Sequence, residues 1–195
     1  MNQSVSTLRK LLVFACMLGL LMPSVGGASN IFVKIKGSTQ GNFKSNPKTG
    51  IPVLGYQHQI ESPKDMASGR AKGSRQHGAI TIVKEWDASS PQLFQALVTN
   101  EQLKEVTFEF KKTDSSGQQV VYYKIKLTNA SVSKIEYRSG TENDATVSAS
   151  TKSTSAKSAA ANATGELEYV SYTYQKIDVE SVEGSTAASD DSRAR

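Results

Sequence analysis

His58 and His77 are the only two imidazoles in the 195 residues of this chain. His77 stands beside Arg75 and Gln76, just ahead of an alternating strand. An imidazole there works as a general base only with an orienting partner on one nitrogen and a nucleophile on the other. Asp87 and several serines are present by type, but no serine sits in a Gly-x-Ser-x-Gly elbow. No triad is signalled, so the expected set of catalytic residues is empty. His58 alternates along a strand, as a surface or partly buried side chain does.

The run Gly69-Arg70-Ala71-Lys72-Gly73-Ser74-Arg75 has the composition of a phosphate loop but not its spacing. It lacks the four-residue gap and the Gly-Lys-Ser/Thr ending, and it precedes a strand rather than a helix. Its cations are not interleaved with aromatic rings, which argues against a stacking platform for single-stranded nucleic acid. Cys16 is the only cysteine, which excludes a disulfide and a cysteine zinc site. No His-Glu-x-x-His or EF-hand pattern occurs, and no cofactor or metal is expected. The formal charge is +5. Removing Arg9 and Lys10 from the 23 basic residues leaves 21 against 18 acidic, too even and too scattered for a nucleic-acid binder.

The elements that must position these residues centre on residues 69–110. Ala79–Trp86 reads as a strand, with Ile80, Ile82 and Lys84 on one face and Ala79, Thr81, Val83 and Glu85 on the other. A helix follows from Ser89 or Ser90, whose hydroxyls suit an unpaired first-turn amide, with Pro91 in the first turn. Leu93, Phe94, Leu97 and Val98 form its apolar stripe, read as core, and Asn100 ends it in a left-handed turn. Ile31–Lys36 is a first strand, Gly37–Gly50 a turn-rich loop, and Ile51–Glu61 a second strand. Residues 62–78 form a loop carrying Lys64, Arg70, Lys72 and Arg75. Val106–Phe110 and Val120–Leu127 make a hairpin about Asp114–Gly117. Ala130–Tyr137 and Glu166–Glu180 are further strands, the latter changing face near Val170-Ser171 by a bulge or by serving two sheets. Many alternating strands and one short helix predict an all-β fold, an antiparallel two-sheet sandwich or barrel with one α-helix.

Residues 1–28 read as a secretory signal peptide. Arg9 and Lys10 precede the apolar run Leu11–Met22, Pro23-Ser24 breaks it, and cleavage is expected after Ala28. The run is too short for a stable membrane span. The alternative is a misassigned start, with translation from Met22. Residues 29–180 form the domain. Residues 139–165, nearly all Ser, Thr, Ala, Asn and Gly, read as a flexible low-complexity insertion. Residues 181–195 read as a disordered tail.

Gly69-Arg70, Gly73, Arg75-Gln76-His77, Ile80 to Lys84, Asp87, Ser90-Pro91, Leu93-Phe94 and Ala96-Leu97 together resemble the Hcp family, the tube proteins of the bacterial type VI secretion system. Ile31 to Gly37, Leu127 to Ala130 with Val132 and Ile135, Leu167-Glu168, Val170-Ser171 and Tyr174 to Ile177 extend the resemblance across most of the chain. It implies a two-sheet β-barrel flanked by one helix, a homo-hexameric ring, and rings stacked into a tube. It implies spike, sheath and effector proteins as partners, effectors carried in the channel, and no enzymatic activity.

In that setting the loop at 61–77 resembles one that reaches the adjacent ring. Lys64, Arg70, Lys72 and Arg75 would meet acidic groups there. Thr107, Glu109, Lys124 and Lys126 are candidates to line the channel. The leader departs from the family pattern, since tube proteins assemble in the cytoplasm and leave through the apparatus. It implies secretion through the periplasm, against cytoplasmic assembly followed by type VI export. The second function class is a secreted binding module that keeps the fold without forming tubes. The third and weakest is a hydrolase using His77.

Overall fold

The computed structural model describes residues 30–46, 49–139 and 166–192. The leader at 1–28 and the insertion, apart from Ser139, lie outside the described residues. The strands are β1 (Asn30–Gly37), β2 (Ile51–Val53), β3 (Gly55–Gln57), β4 (Ile60–Glu61), β5 (Gln76–His77) and β6 (Ile80–Glu85). Helix α1 (Ser90–Val98) precedes β7 (Gln102–Thr113), β8 (Gln119–Arg138), β9 (Leu167–Thr173), β10 (Lys176–Ser181) and β11 (Thr186–Asp191).

Every pairing between these strands is antiparallel. The main sheet runs β2-β1-β7-β8-β9-β6-β3, with β10 and then β11 added beside β8. Its two ends, β2 and β3, are separated in the chain only by Leu54, so one kinked segment serves both edges. The result is a sandwich that stops short of a closed hydrogen-bonded barrel. Strand β8 makes this possible by changing partners. Its first half pairs with β10 and its second half with β9. The change falls at Asn129, whose φ of 52° bends the strand and whose side chain donates to Gln175 Oε1 at 2.8 Å.

The alternating residues of these strands meet inside. Val33, Val106, Phe108, Leu127, Ile82, Val170 and Tyr172 are buried in one cluster. Helix α1 packs against β8, with Leu93 and Ala96 buried. Asn100 ends the helix at a positive φ of 52°, as its sequence position implies.

Several expectations need correction. Leu97 is partly buried, but Phe94 and Val98 are 49% and 53% exposed. At about 100° per residue they lie one position around from Leu93 and Leu97, on the outer flank of the stripe. The helix start is held by Asp87 rather than a serine hydroxyl: Ser89 N donates to Asp87 Oδ1 at 2.7 Å. The strand expected at 51–61 divides into β2, β3 and β4. The last strand divides at Tyr174-Gln175, where the chain passes from β8's second half to its first. The bulge expected near Val170-Ser171 is present opposite Ser171, as a register shift between Val132 and Lys134 of β8. The tail expected to be disordered forms β11, since its backbone completes a hairpin with β10 that needs no apolar side chains.

Candidate functional site

The outward residues of β1, β7, β8, β10 and β11 form one continuous polar face. The register sets them in rows across the strands. One row runs Lys36, Glu105, Thr128, Lys176, Asp191. The next runs Lys34, Thr107, Lys126, Asp178, Ser189, and a third Phe32, Glu109, Lys124, Glu180, Ala187. Thr107, Glu109, Lys124 and Lys126, the sequence candidates, therefore stand side by side on one surface.

The charges on this face largely answer one another. Lys34 meets Glu109 at 2.7 Å, Lys126 meets Glu105 at 2.8 Å and Lys176 meets Asp178 at 2.7 Å. Lys111 reaches Glu109 at 3.3 Å and lies over the Phe32 ring. Burial pushes the Glu109 carboxyl up, but hydrogen bonds and charge from Lys34 and Lys111 outweigh it and hold it below its ordinary range. Lys126 holds Glu105 low in the same way. A hollow of about 560 Å³ lies over the β7, β8, β10 and β11 part of the face.

The basic loop divides in two. Lys64, Arg70 and Lys72 are exposed. Their loop is shaped by Asp65, which accepts from Ala67 N and Ser68 N at 3.1 and 2.8 Å. Arg75 instead makes a two-pronged pair with Asp190 of its own chain, at 2.8 and 2.7 Å. His77 Nε2 also meets Asp190, at 2.8 Å, and His77 Nδ1 meets the Tyr174 hydroxyl at 3.0 Å. His58 Nε2 reaches that same hydroxyl at 2.7 Å. Sequence reasoning missed Tyr174 and Asp190. They lie 97 and 113 positions from His77, and Asp190 falls in the segment read as tail.

The Asp190–His77–Tyr174 line has the order of a carboxylate, an imidazole and a hydroxyl. Burial, then the Asp190 charge, pushes the Tyr174 hydroxyl up to about 12, which opposes its ionisation as a nucleophile at neutral pH. Among the described residues, no group of three His, Cys, Asp or Glu side chains is placed to hold a metal ion. No helix among them is long and apolar enough to cross a membrane.

A second polar cluster lies beneath α1. Lys84 Nζ donates to Glu168 Oε1 at 2.6 Å, Asp87 Oδ1 at 3.0 Å, Ser90 Oγ at 3.2 Å and the Glu85 carbonyl at 2.7 Å. Ser90 Oγ also donates to Glu168 at 2.7 Å. The cluster joins the ends of β6 and β9 to the start of the helix, and the Lys84 and Glu168 side chains are closed to solvent. It is a structural joint rather than a reaction centre.

A family profile described as the type VI secretion system effector Hcp matches residues 32–180. The "Major exported protein" of Pseudomonas aeruginosa is 30% identical over 99 residues, which span 51% of this chain and 58% of that relative. A crystal structure of an Hcp protein superposes with a TM-score of 0.69 at 26% identity, covering 84% of this chain and 99% of that one. The Hcp1 protein from the E. coli EAEC 042 pathovar gives a TM-score of 0.67 at 25% identity, with the same two coverages. The alternating strands, helix α1 and the Lys84–Asp87–Ser90–Glu168 joint thus fall within a profile match that spans most of the sequence, and this chain belongs to the Hcp family of type VI secretion proteins.

Proposed function

We propose that this protein is a non-enzymatic building block of a secretion tube, assembling as hexameric rings that stack and carry effectors in their channel. The observation that carries the reading is the five-strand face described above. A sheet face normally packs on a core or meets dilute solvent. This one sets lysines against carboxylates in successive rows and is close to neutral as a whole. Such a wall is wetted and holds few unpaired charges, so a folded passenger slides along it without a strong single anchor.

Ring closure needs a head-to-tail contact between unlike surfaces with a rotation that closes. The exposed Phe94 and Val98 of α1, and the half-exposed Trp86, provide apolar area for that contact. Stacking needs a second contact, and the exposed Lys64, Arg70 and Lys72 suit acidic groups on the neighbouring ring. Arg75 belongs to the support of that loop. Export fits the name of the Pseudomonas relative. A leader at 1–28 would send the protein through the periplasm.

Native mass of the purified protein, followed by electron microscopy of the same sample, tests the reading. Ring-shaped hexamers support it. A folded monomer over a wide concentration range overturns it in favour of a secreted binding module that keeps only the fold.

A further inference from the structure

Residues 58–77 leave the sheet after β3 and return at β6. Their internal ladder is short: β4 and β5 pair over two residues each. Ile60, the large apolar side chain of that ladder, is 50% exposed. Apolar packing therefore does little to hold the excursion against the domain. Among the described residues, its side-chain hydrogen bonds to the rest of the domain run from His58, Arg75 and His77, and all end on Tyr174 or Asp190.

One proton arrangement satisfies all of them. His77 donates from Nε2 to Asp190, which leaves the Nδ1 lone pair to accept from the Tyr174 hydroxyl. The Tyr174 oxygen then accepts from His58 Nε2. Each donor has one acceptor, and both imidazoles are neutral. We infer that the His58–Tyr174–His77–Asp190–Arg75 chain is an acid-released latch, fixing residues 58–77 to the β10–β11 hairpin while its imidazoles are neutral and loosening when they are protonated.

The groups that face the latch come from every element around it. His58 follows β3, Arg75 and His77 belong to the excursion, Tyr174 lies at the β9–β10 corner and Asp190 on β11. Tyr56 of β3 is close enough to feel Tyr174 and is held neutral by burial, so it adds no charge. Hydrogen bonds from Arg75 and then His77 hold the Asp190 carboxyl below its ordinary 3.8, so both groups answer its charge. Protonating His77 at Nδ1 makes that nitrogen a donor to the Tyr174 oxygen, and the phenol hydrogen must turn to the Nε2 lone pair of a neutral His58. A second proton, on His58, removes that last acceptor and places two imidazolium rings on either side of one phenol oxygen. Burial, then the His77 charge, holds His58 below its ordinary value of 6.5. A base lowered in the closed state gives stability that is complete above that ordinary value and is lost as pH falls below it. Release therefore belongs to mild acid.

The inference stands whether or not rings stack, and its test uses the purified full chain alone. Hydrogen exchange, corrected for the intrinsic pH dependence, is compared at about pH 7.5 and about pH 5, on either side of the imidazole range. The expected result is faster exchange in 58–77 and 186–191 at the lower pH, on the order of tenfold. Residues of β7 and β8 should stay unchanged. The double variant His58→Gln/His77→Gln should exchange in these segments at one rate across that range. Unchanged exchange in the wild type, or a pH response that survives in the double variant, overturns the latch. Should that variant fail to fold, imidazole proton resonances of the wild type decide. A His58 titration below its ordinary 6.5 that is coupled to that of the second imidazole supports the latch, and an uncoupled His58 titration at its ordinary value rejects it.

Discussion

Lys84 and Glu168 meet at 2.6 Å, with side chains only 1% and 0% exposed, at the point where β6, β9 and the start of α1 come together. Two charges out of water stabilise only when each is fully answered. Lys84 is answered by four acceptors. Glu168 accepts from Lys84 and Ser90 through Oε1, while Oε2 has no partner among the described residues. Lys84→Met removes one charge and leaves the other buried. The expected cost is about 3–5 kcal/mol in urea unfolding. Lys84→Met/Glu168→Leu should recover much of that loss, because no uncompensated charge remains. A double variant as unstable as the single one would show that the joint acts by shape rather than by charge.

Helix α1 presents two apolar faces with different fates. Leu93 is fully buried, and Leu93→Ala should cost about 2–5 kcal/mol. Phe94 is half exposed, and Phe94→Ala should change monomer stability by no more than about 0.5 kcal/mol. If the outer face closes the ring, Phe94→Ala/Val98→Ala should shift native mass toward smaller species while the melting curve of the monomer stays in place. Equal loss of monomer stability from both faces would place Phe94 in the core.

The fold was readable where side chains follow a period. Val106, Phe108, Ile125 and Leu127 alternate cleanly, and their hairpin formed as expected but longer. The resemblance carried by Lys84, Asp87, Ser90 and Glu168 pointed to the family before their contacts were known. Strand β11 was not readable, because Thr-Ala-Ala-Ser-Asp-Asp has no apolar alternation and is ordered by backbone pairing with β10. The cluster around Tyr174 was hidden for a related reason. Its members are far apart in sequence, and only the passage of the chain from β9 to β10 brings them together. Phe94 and Val98 show the opposite error: an apolar stripe marks a face that avoids water, without saying whether the cover is this chain or another.

Acid should unfold the domain mainly through carboxylates held low in the folded state. Burial pushes Asp87 up, but hydrogen bonds from Ser89 and Lys84 outweigh it and hold it below its ordinary 3.8. Glu101 is pushed up by burial and held below its ordinary 4.5 by Gln40 and Thr39. A depressed carboxylate contributes stability above its unfolded pKa and loses it as pH falls through the folded one. Asp87→Asn should cost about 1–3 kcal/mol at neutral pH and less at about pH 3, below the ordinary 3.8, where the unfolded chain takes up the proton and the advantage of the lowered folded carboxyl shrinks. Urea midpoints for both proteins at the two pH values measure this. A constant difference would mean that Asp87 acts through hydrogen-bond geometry and not through its charge.

The polar face makes its own prediction, because Lys124 lies directly between Glu109 and Glu180 in register. Lys124→Glu would set three carboxylates in line across neighbouring strands. Like charges directly opposite each other cost about 0.2–1 kcal/mol a pair, so the expected loss is at most about 2 kcal/mol. Lys124→Gln should lose less, because it removes attraction without adding repulsion. Salt at about 0.5 M should restore most of the Lys124→Glu loss, since the face is open to solvent and its charges are screened. Thermal unfolding of the three proteins with and without salt reads all of these effects. A loss that salt does not touch would mean that Lys124 is covered in the folded protein, and a covered Lys124 would not belong to an open wall.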